Sequence, residues 1–517
     1  MLPLTTAAQS AARDAAAIAA GTPQQALMQR AGAAAAAEIA LRFPRRLRHG
    51  ALVLAGPGNN GGDARVVAAA LSATGVRVRI NEPWDGERLV IDGLLGTGAH
   101  GAPRGEVAAR MDVARHAQER GAAIVSLDVP SGLDATTGDA THALRAQLTL
   151  SFGTLKRGQL VARGNCGRIV VLDIGLGEHA TPADGAPLVV DARWVAERIP
   201  QIAADAHKGT RRKVLVVGGA RGMTGAAILA TRAALASGVG MVKVAVDAAS
   251  LDVVQRAEPL ALAAVWPGNA ADASAMLSWC DAIAIGPGLG ATAASRALVA
   301  RLLEASDKPV VLDADALNVF AGELDALRAL LAGRMAVLTP HPLEAARLLG
   351  VTLDEVLTRR FEIGGELARR TGAVVLLKGV PTIISHPDGR SVVSARGTPL
   401  LAAAGSGDVL TGIAATLLAQ MGDAFEAAAC AAWVHGKAAE AAQQRQAPHF
   451  AQGDNSGSEG YRLAQGDSSS HPERSEGSVV PLRGLTLHDV LASLPGAWQL
   501  SAAPTRSPVL LELPPVT

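Results

Sequence analysis

The chain has 517 residues, 49% hydrophobic, 18% charged and 3% aromatic, with a formal net charge of +1. A single core stops growing near roughly 250–300 residues, so two or three domains cored by Ala, Val, Leu and Ile are expected. Scattered Lys and Arg argue against a general nucleic-acid or membrane-surface role, and three distant cysteines (Cys166, Cys280, Cys430) give neither a zinc site nor a disulfide framework.

The first residues lack a basic segment followed by an apolar one, and no stretch of about 18 strongly apolar residues occurs. A cytoplasmic enzyme is the expectation. Residues 5 to 43 read as Ala-rich helix, broken at Gly21-Thr-Pro23. Ala51–Ala55 reads as a strand that runs into a Gly/Asn turn and the helix Arg65 to Thr74. Val76–Ile80 is a strand, and so are Leu89–Asp92 and Ala123–Asp128, each of the latter two ending in a carboxylate. Strands alternating with helices predict a parallel, doubly wound sheet. Ligands in such sheets lie beyond the strands' carboxyl ends, where Asn59, Asp92 and Asp128 fall.

This unit closes near Trp194 to Pro200, and a second α/β series starts at Lys213–Val217. It continues through Val242–Val246, Ala282–Ile285, Pro309–Asp313, Ala336–Thr339 and Val374–Lys378. Two domains are therefore expected, 1–200 and 201–517. Residues 445–480 are Ser/Gly-rich and read as a disordered insertion. Leu485 to Leu494 reads as a short closing helix, and the tail from Ala502 as loose.

Gly56-Pro-Gly-Asn-Asn-Gly-Gly-Asp63 follows a strand and opens a helix. Its glycines let the backbone approach a ligand, and its N–H groups suit a phosphate or pyrophosphate. It is neither G-x-G-x-x-G nor G-x-x-x-x-G-K-S/T, which sets aside the usual dinucleotide and P-loop readings. An ordinary strand–helix turn is the plain alternative. Leu94-Leu-Gly-Thr-Gly-Ala-His-Gly101 and Asp128-Val-Pro-Ser-Gly-Leu-Asp-Ala-Thr-Thr-Gly138 are further loops of this kind.

In this order the three motifs resemble the epimerase half of the bifunctional NAD(P)H-hydrate repair enzymes. The resemblance implies that Asn59, Asn60, Gly61, Gly62 and Asp63 hold the hydrated dinucleotide, together with Gly96, Thr97, Gly98, Ala99, His100, Gly101 and Ala102. It implies a potassium ion on Asn60, Asp92 and Ser131, oxygen ligands that suit a hard cation. Asp128 would be the acid/base at the epimerised carbon, and Lys156 falls where the family keeps a lysine. The family's usual Gly after the first-turn Asp is Ala64 here.

Gly405-Ser-Gly-Asp408 opens an apolar helical run from Val409 to Met421. Such a turn aims N–H groups and the helix dipole at one point, which suits an anion. A carboxylate there either caps the helix or takes a proton while a phosphate is transferred. Taken alone, the turn leaves both readings open.

Seven motifs in order, from His207-Lys-Gly209 to Gly405–Asp408, resemble the ADP-dependent NAD(P)H-hydrate dehydratases, which have a ribokinase-like fold. They include Gly218–Ala226, Ile285–Gly290, Leu312–Asn318, Leu338–Pro342 and Leu377–Gly379. The resemblance implies contacts to the hydrated cofactor from Ala226, Gly288, His341 and Asp408. Lys378, Gly379, Val380, Pro381 and Thr382, with Gly407, would hold the AMP part of ADP, which the resemblance expects to enter with Mg2+. Asp408 would be the catalytic base. Departures from the family pattern are Thr398, Leu400, Ala403 and Ala404 before the turn, and Val380-Pro381 in the nucleotide loop. Overall the expected fold is α/β, Rossmann-like and then ribokinase-like, acting on NADHX or NADPHX as a homo-oligomer. A vitamin-precursor kinase or a non-catalytic scaffold is the alternative.

Overall fold

The computed structural model covers residues 1–181, 184–451, 482–500 and 506–516. Two sheets organise an α/β chain, one of seven strands and one of twelve. In the first, the strand order is Val509–Leu513, Arg168–Leu172, Leu148–Phe152, Ala123–Leu127, Leu89–Gly93, Ala51–Ala55 and Val78–Ile80. All pairings are parallel except that of Val509–Leu513 on Arg168–Leu172. Strand order reverses between Ala51–Ala55 and Leu89–Gly93, which opens a crevice beyond their carboxyl ends.

Covered parallel strands need apolar side chains on both faces. Ala51–Ala55 is buried throughout. Its alternate residues Ala51, Val53 and Ala55 enter one core cluster, and Leu52 and Leu54 enter the other. Val214 and Val216 are divided from Leu215 and Val217 in the same way in the second half.

The second sheet runs Leu262–Val265, Met241–Val246, Lys213–Val217, Ala282–Ile285, Val310–Leu312, Ala336–Leu338 and Val374–Leu377, all parallel. Thr382–Ser385 and Ser391–Ser394 then add antiparallel strands. Its order reverses between Lys213–Val217 and Ala282–Ile285, and there the two glycine loops meet: a Cβ on Gly218 would stand 2.0 Å from the Pro287 carbonyl. The helix Ser406–Met421 crosses this sheet, packed against Thr224–Ala236. A Cβ on Gly412 would meet the Ala230 carbonyl at 2.1 Å, so glycine permits that close crossing.

Each half lends strands to the other. Leu2–Thr5, Leu155–Lys156 and Leu188–Val189 extend the second sheet past Ser391–Ser394. The tail expected to be loose instead supplies Val509–Leu513 to the first sheet. Its apolar residues lie between two prolines, and Glu512 is held by Arg42 at 2.8 Å. The helix Ala424–Ala451 runs into the stretch read as disordered, and residues 452–481 lie outside those described. The expected closing helix is Leu487–Ala497. Among the described residues, no helix is long and apolar enough to cross a membrane.

Candidate active sites

The turn Gly58–Asp63 lies in the first crevice and begins the helix Asn59–Ala73. Two glycines here are sterically required: a Cβ on Gly56 would lie 1.9 Å from the Leu94 carbonyl, and one on Gly61 1.9 Å from that of Gly56. Asn60 donates through Nδ2 to the carbonyls of Leu95 (2.7 Å) and Leu127 (3.0 Å). Its buried Oδ1 has no hydrogen-bond partner. Asp92 is fully buried and accepts from Ser131 Oγ (2.5 Å), Ser131 N (2.9 Å) and Ser126 Oγ (2.8 Å). Burial still pushes its carboxyl above the ordinary range, because these neutral donors offset only part of the lost hydration. Ala64, where the resemblance expects glycine, is fully buried and sits over Gly93.

Asp128 follows the strand Ala123–Leu127 in a left-handed conformation (φ 61°) that side chains other than Gly, Asn and Asp rarely adopt. Its Oδ1 accepts from Phe152 N at 3.2 Å and from the Lys156 ammonium. Lys156 is completely buried and also donates to Phe152 O at 3.0 Å. Asp63 makes no hydrogen bond to any described residue. Burial first, then Asp128 and Asp14, pushes it up to about 8, so it carries a proton at neutral pH. Ala99, His100, Gly101 and Ala102 line a cleft of about 750 Å3, where His100 Nδ1 lies 2.9 Å from Asp134. Asp63, Asp92 and Asp128 are not among that cleft's lining residues.

In the second half, Asp408 stands in the first turn of the helix Ser406–Met421 and makes no hydrogen bond to any described residue. The carboxylate therefore does not cap the helix. Burial, followed by Asp313, pushes it up to about 7 against the opposing pull of Lys378. Lys378 Nζ donates to Asp313 Oδ1 at 2.7 Å and lies 3.8 Å from Glu344. Burial opposes the ammonium's charge, but these two carboxylates hold its pKa above the ordinary value. Gly407 abuts the pair, since a Cβ there would lie 3.1 Å from Lys378 Nζ.

Gly288 (φ 60°) lies against the helix start at Ala226, with a Cβ 3.1 Å from the Ala226 methyl. His341 caps the helix Pro342–Leu349, its Nδ1 accepting from Leu343 N and Glu344 N at 3.1 and 3.2 Å. Burial and the nearby Lys378 hold its imidazole below the usual pKa, and so neutral. Gly379 and Val380 are exposed and Pro381 is buried in the loop that leads to Thr382, which starts the next strand with Oγ1 donating to Gly379 O at 3.0 Å.

A family profile described as NAD(P)H-hydrate dehydratase matches residues 214–454, and one described as YjeF-related protein N-terminus matches 24–86 and 80–158. The bifunctional NAD(P)H-hydrate repair enzyme Nnr of Moorella thermoacetica is 36% identical over 478 residues, 82% of this chain and 89% of that protein. This chain belongs to the bifunctional NAD(P)H-hydrate repair enzymes. The Escherichia coli enzyme of the same name is 34% identical over 80% of this chain and 84% of its own length. Among solved structures, the ADP/ATP-dependent NAD(P)H-hydrate dehydratase of Bacillus subtilis, co-crystallised with ATP/Mg2+, is 28% identical. It covers 61% of this chain and 99% of its own, with a TM-score of 0.48.

Sequence reasoning missed Asp313, Thr339 and Thr411 as members of the second site of this repair enzyme. Asp313 is fully buried, with Thr339 and Thr411 donating to it at 2.7 and 2.8 Å. The next residue, Ala314, is held at φ 48° and ψ −119°, which is rare for alanine and places the strain beside the site. The signal lay in Leu312-Asp-Ala-Asp-Ala-Leu-Asn318, where one aspartate ends a strand and another opens a helix.

Proposed function

We propose that the first half interconverts the R and S forms of NADHX and NADPHX, and that the second restores NAD(P)H from the S form at the expense of ADP. The observation that carries this reading is Asp408. It is a carboxylate free of hydrogen bonds, raised to about 7, at the N-terminus of a buried helix and beside the Lys378–Asp313 pair. A base works best with a pKa near the working pH.

Asp408 takes the proton of the hydrate's hydroxyl, and that oxygen attacks the terminal phosphorus of ADP. The bond from phosphorus to the AMP oxygen breaks, with Lys378 and the helix N-terminus facing the developing charge. Phosphate then leaves the ring carbon, driven by the ring nitrogen's lone pair, the neighbouring ring carbon gives up a proton to form the double bond, and NAD(P)H, AMP and phosphate are the products. Phosphate is a better leaving group than hydroxide, which is why a kinase-like site serves an elimination. In the first half, Asp128 moves the proton at the epimerised carbon, its position fixed by Lys156. Asn59–Asp63 and Gly96–Ala102 hold the dinucleotide.

A potassium ion fits the first half because the orphaned Asn60 Oδ1 and the buried Asp92, which has no cationic partner among the described residues, both ask for one. Asn60, Asp92 and Ser131 would hold the ion, which would supply a fixed positive charge to the site. Among the described residues no three His, Cys, Asp or Glu stand together as a metal site. Mg2+ would therefore arrive on the nucleotide's phosphates, with water and one or two carboxylates completing its shell. A cytoplasmic homo-oligomer completes the reading, and three buried free thiols suit a reducing compartment.

The test mixes both epimers of hydrated NADH with the protein and ADP, and follows NADH by absorbance. Full conversion supports both activities. Conversion of about half the mixture would refute epimerisation, and none would refute the dehydration.

A further inference from the structure

Arg360 opens the helix Arg360–Thr371 at the seam between the halves. Its Nη2 donates at 2.9 Å to the carbonyl of Pro381, inside the loop Lys378–Thr382. Gly379 (φ 138°) lies so close that a Cβ there would stand 2.5 Å from that nitrogen. Among the described residues no carboxylate pairs with Arg360: burial alone brings its guanidinium down to about 10, and its buried Nε has no hydrogen-bond partner. A half-buried cation with one neutral acceptor costs stability that an apolar side chain of similar size would not. Stability therefore does not explain it, whereas a need to fix the loop does.

The next two residues of that helix meet the epimerase half. The Arg157 guanidinium lies 4.6 Å from the centre of the Phe361 ring and donates to Glu362 Oε1 at 3.1 Å. Arg157 directly follows Lys156, the buried lysine that holds Asp128. Leu155, on the other side of that lysine, shares an apolar cluster with Ile383, the neighbour of Thr382, and Phe361 packs on the same cluster. Three adjacent side chains thus connect the Lys156 strand to the Pro381 carbonyl.

We propose that Arg360 is a positioning residue for the nucleotide loop, and that Arg157, from the epimerase half, holds the Arg360 helix where that contact requires it. This rests on the reading of Lys378–Thr382 as the AMP-binding loop. Nucleotide binding in the second half then depends on a residue of the first, which a simple tethering of two enzymes would not produce.

The test uses the full chain as wild type, Arg360→Ala, Arg360→Lys and Arg157→Ala. It measures ADP binding by calorimetry and the ADP dependence of NADH recovery from the S epimer. Arg360→Ala raises KM for ADP about tenfold, the loss of one charged hydrogen bond, with kcat nearly unchanged. Arg360→Lys recovers part of it, because an ammonium still donates to Pro381. Arg157→Ala raises KM for ADP about threefold, as the loss of one partly exposed ion pair and one ring contact predicts. Glu362→Gln, at an exposed position, replaces Arg157→Ala if that variant loses cooperative melting, and Arg360→Lys alone then carries the loop contact if Arg360→Ala does. If wild type binds no ADP, the functional reading itself fails. If wild type binds ADP and melting-competent Arg360 variants bind it equally well, the positioning role is overturned. A change at Arg157 or Glu362 that lowers the melting temperature but leaves KM for ADP untouched overturns the link between the halves.

Discussion

Lys378 and the buried Asp313 form an ion pair of 2.7 Å directly beneath Gly407, whose missing side chain leaves room for it. Asp313 holds the ammonium in place and its negative charge raises Asp408. A base must be ionised to act, so dehydration should rise with pH through about 7 and level off above it. Asp313→Asn removes a negative neighbour, and the midpoint of that limb should move to lower pH. A pH–rate profile with an unmoved limb would show that Asp313 does not hold Asp408 up.

Asp408→Asn should lower dehydration by about 10²–10⁴-fold, the usual worth of a positioned base. Melting should change little, since Asp408 makes no capping hydrogen bond to be lost. Epimerisation, measured by exchange between the two forms, should be unaffected. Full dehydration by the variant would end the assignment.

The strand-and-turn order was readable because each buried parallel strand is an apolar run and each site loop is crowded with Gly, Asn and Asp. Less readable were contacts made by distant segments. Asp313 reads as a strand end until Lys378, Thr339 and Thr411 are seen around it. Val509–Leu513 was read as tail because five residues carry little periodicity, and the partner strand Arg168–Leu172 lies more than 300 residues away in the chain. Arg360 has no motif, and its meaning lies entirely in the Pro381 carbonyl it meets.

Asp63 should make epimerisation fall as pH rises through about 8, because losing its proton adds a negative charge beside Asp128. Asp63→Asn keeps the size and neutrality of the protonated acid. The variant should retain most activity at pH 7 and lose the alkaline fall. An unchanged fall in a pH–rate profile of the variant would assign it to another group.

Potassium should raise the melting temperature of the chain more than sodium at equal ionic strength, since an ion bound only by the folded state stabilises it. The difference should vanish in Asn60→Ala, which removes the orphaned Oδ1. Equal melting in both salts would count against a potassium site.

Ala64 departs from the family's glycine, and Gly93 shows how the methyl is accommodated. A Cβ on Gly93 would stand 2.5 Å from Ala64 Cβ and 2.9 Å from the Asn60 carbonyl. Ala64→Gly should cost about 1 kcal/mol, the helix penalty of glycine. Gly93→Ala should cost more, because neither the buried Ala64 methyl nor the helix backbone can yield without moving the turn that carries Asn60. Combining the two removes the methyl clash but leaves the Asn60 carbonyl. The double variant should therefore melt above Gly93→Ala and below wild type, with a favourable coupling in the cycle. Additive losses would mean that the two sites do not share this space and that Ala64 is tolerated for some other reason.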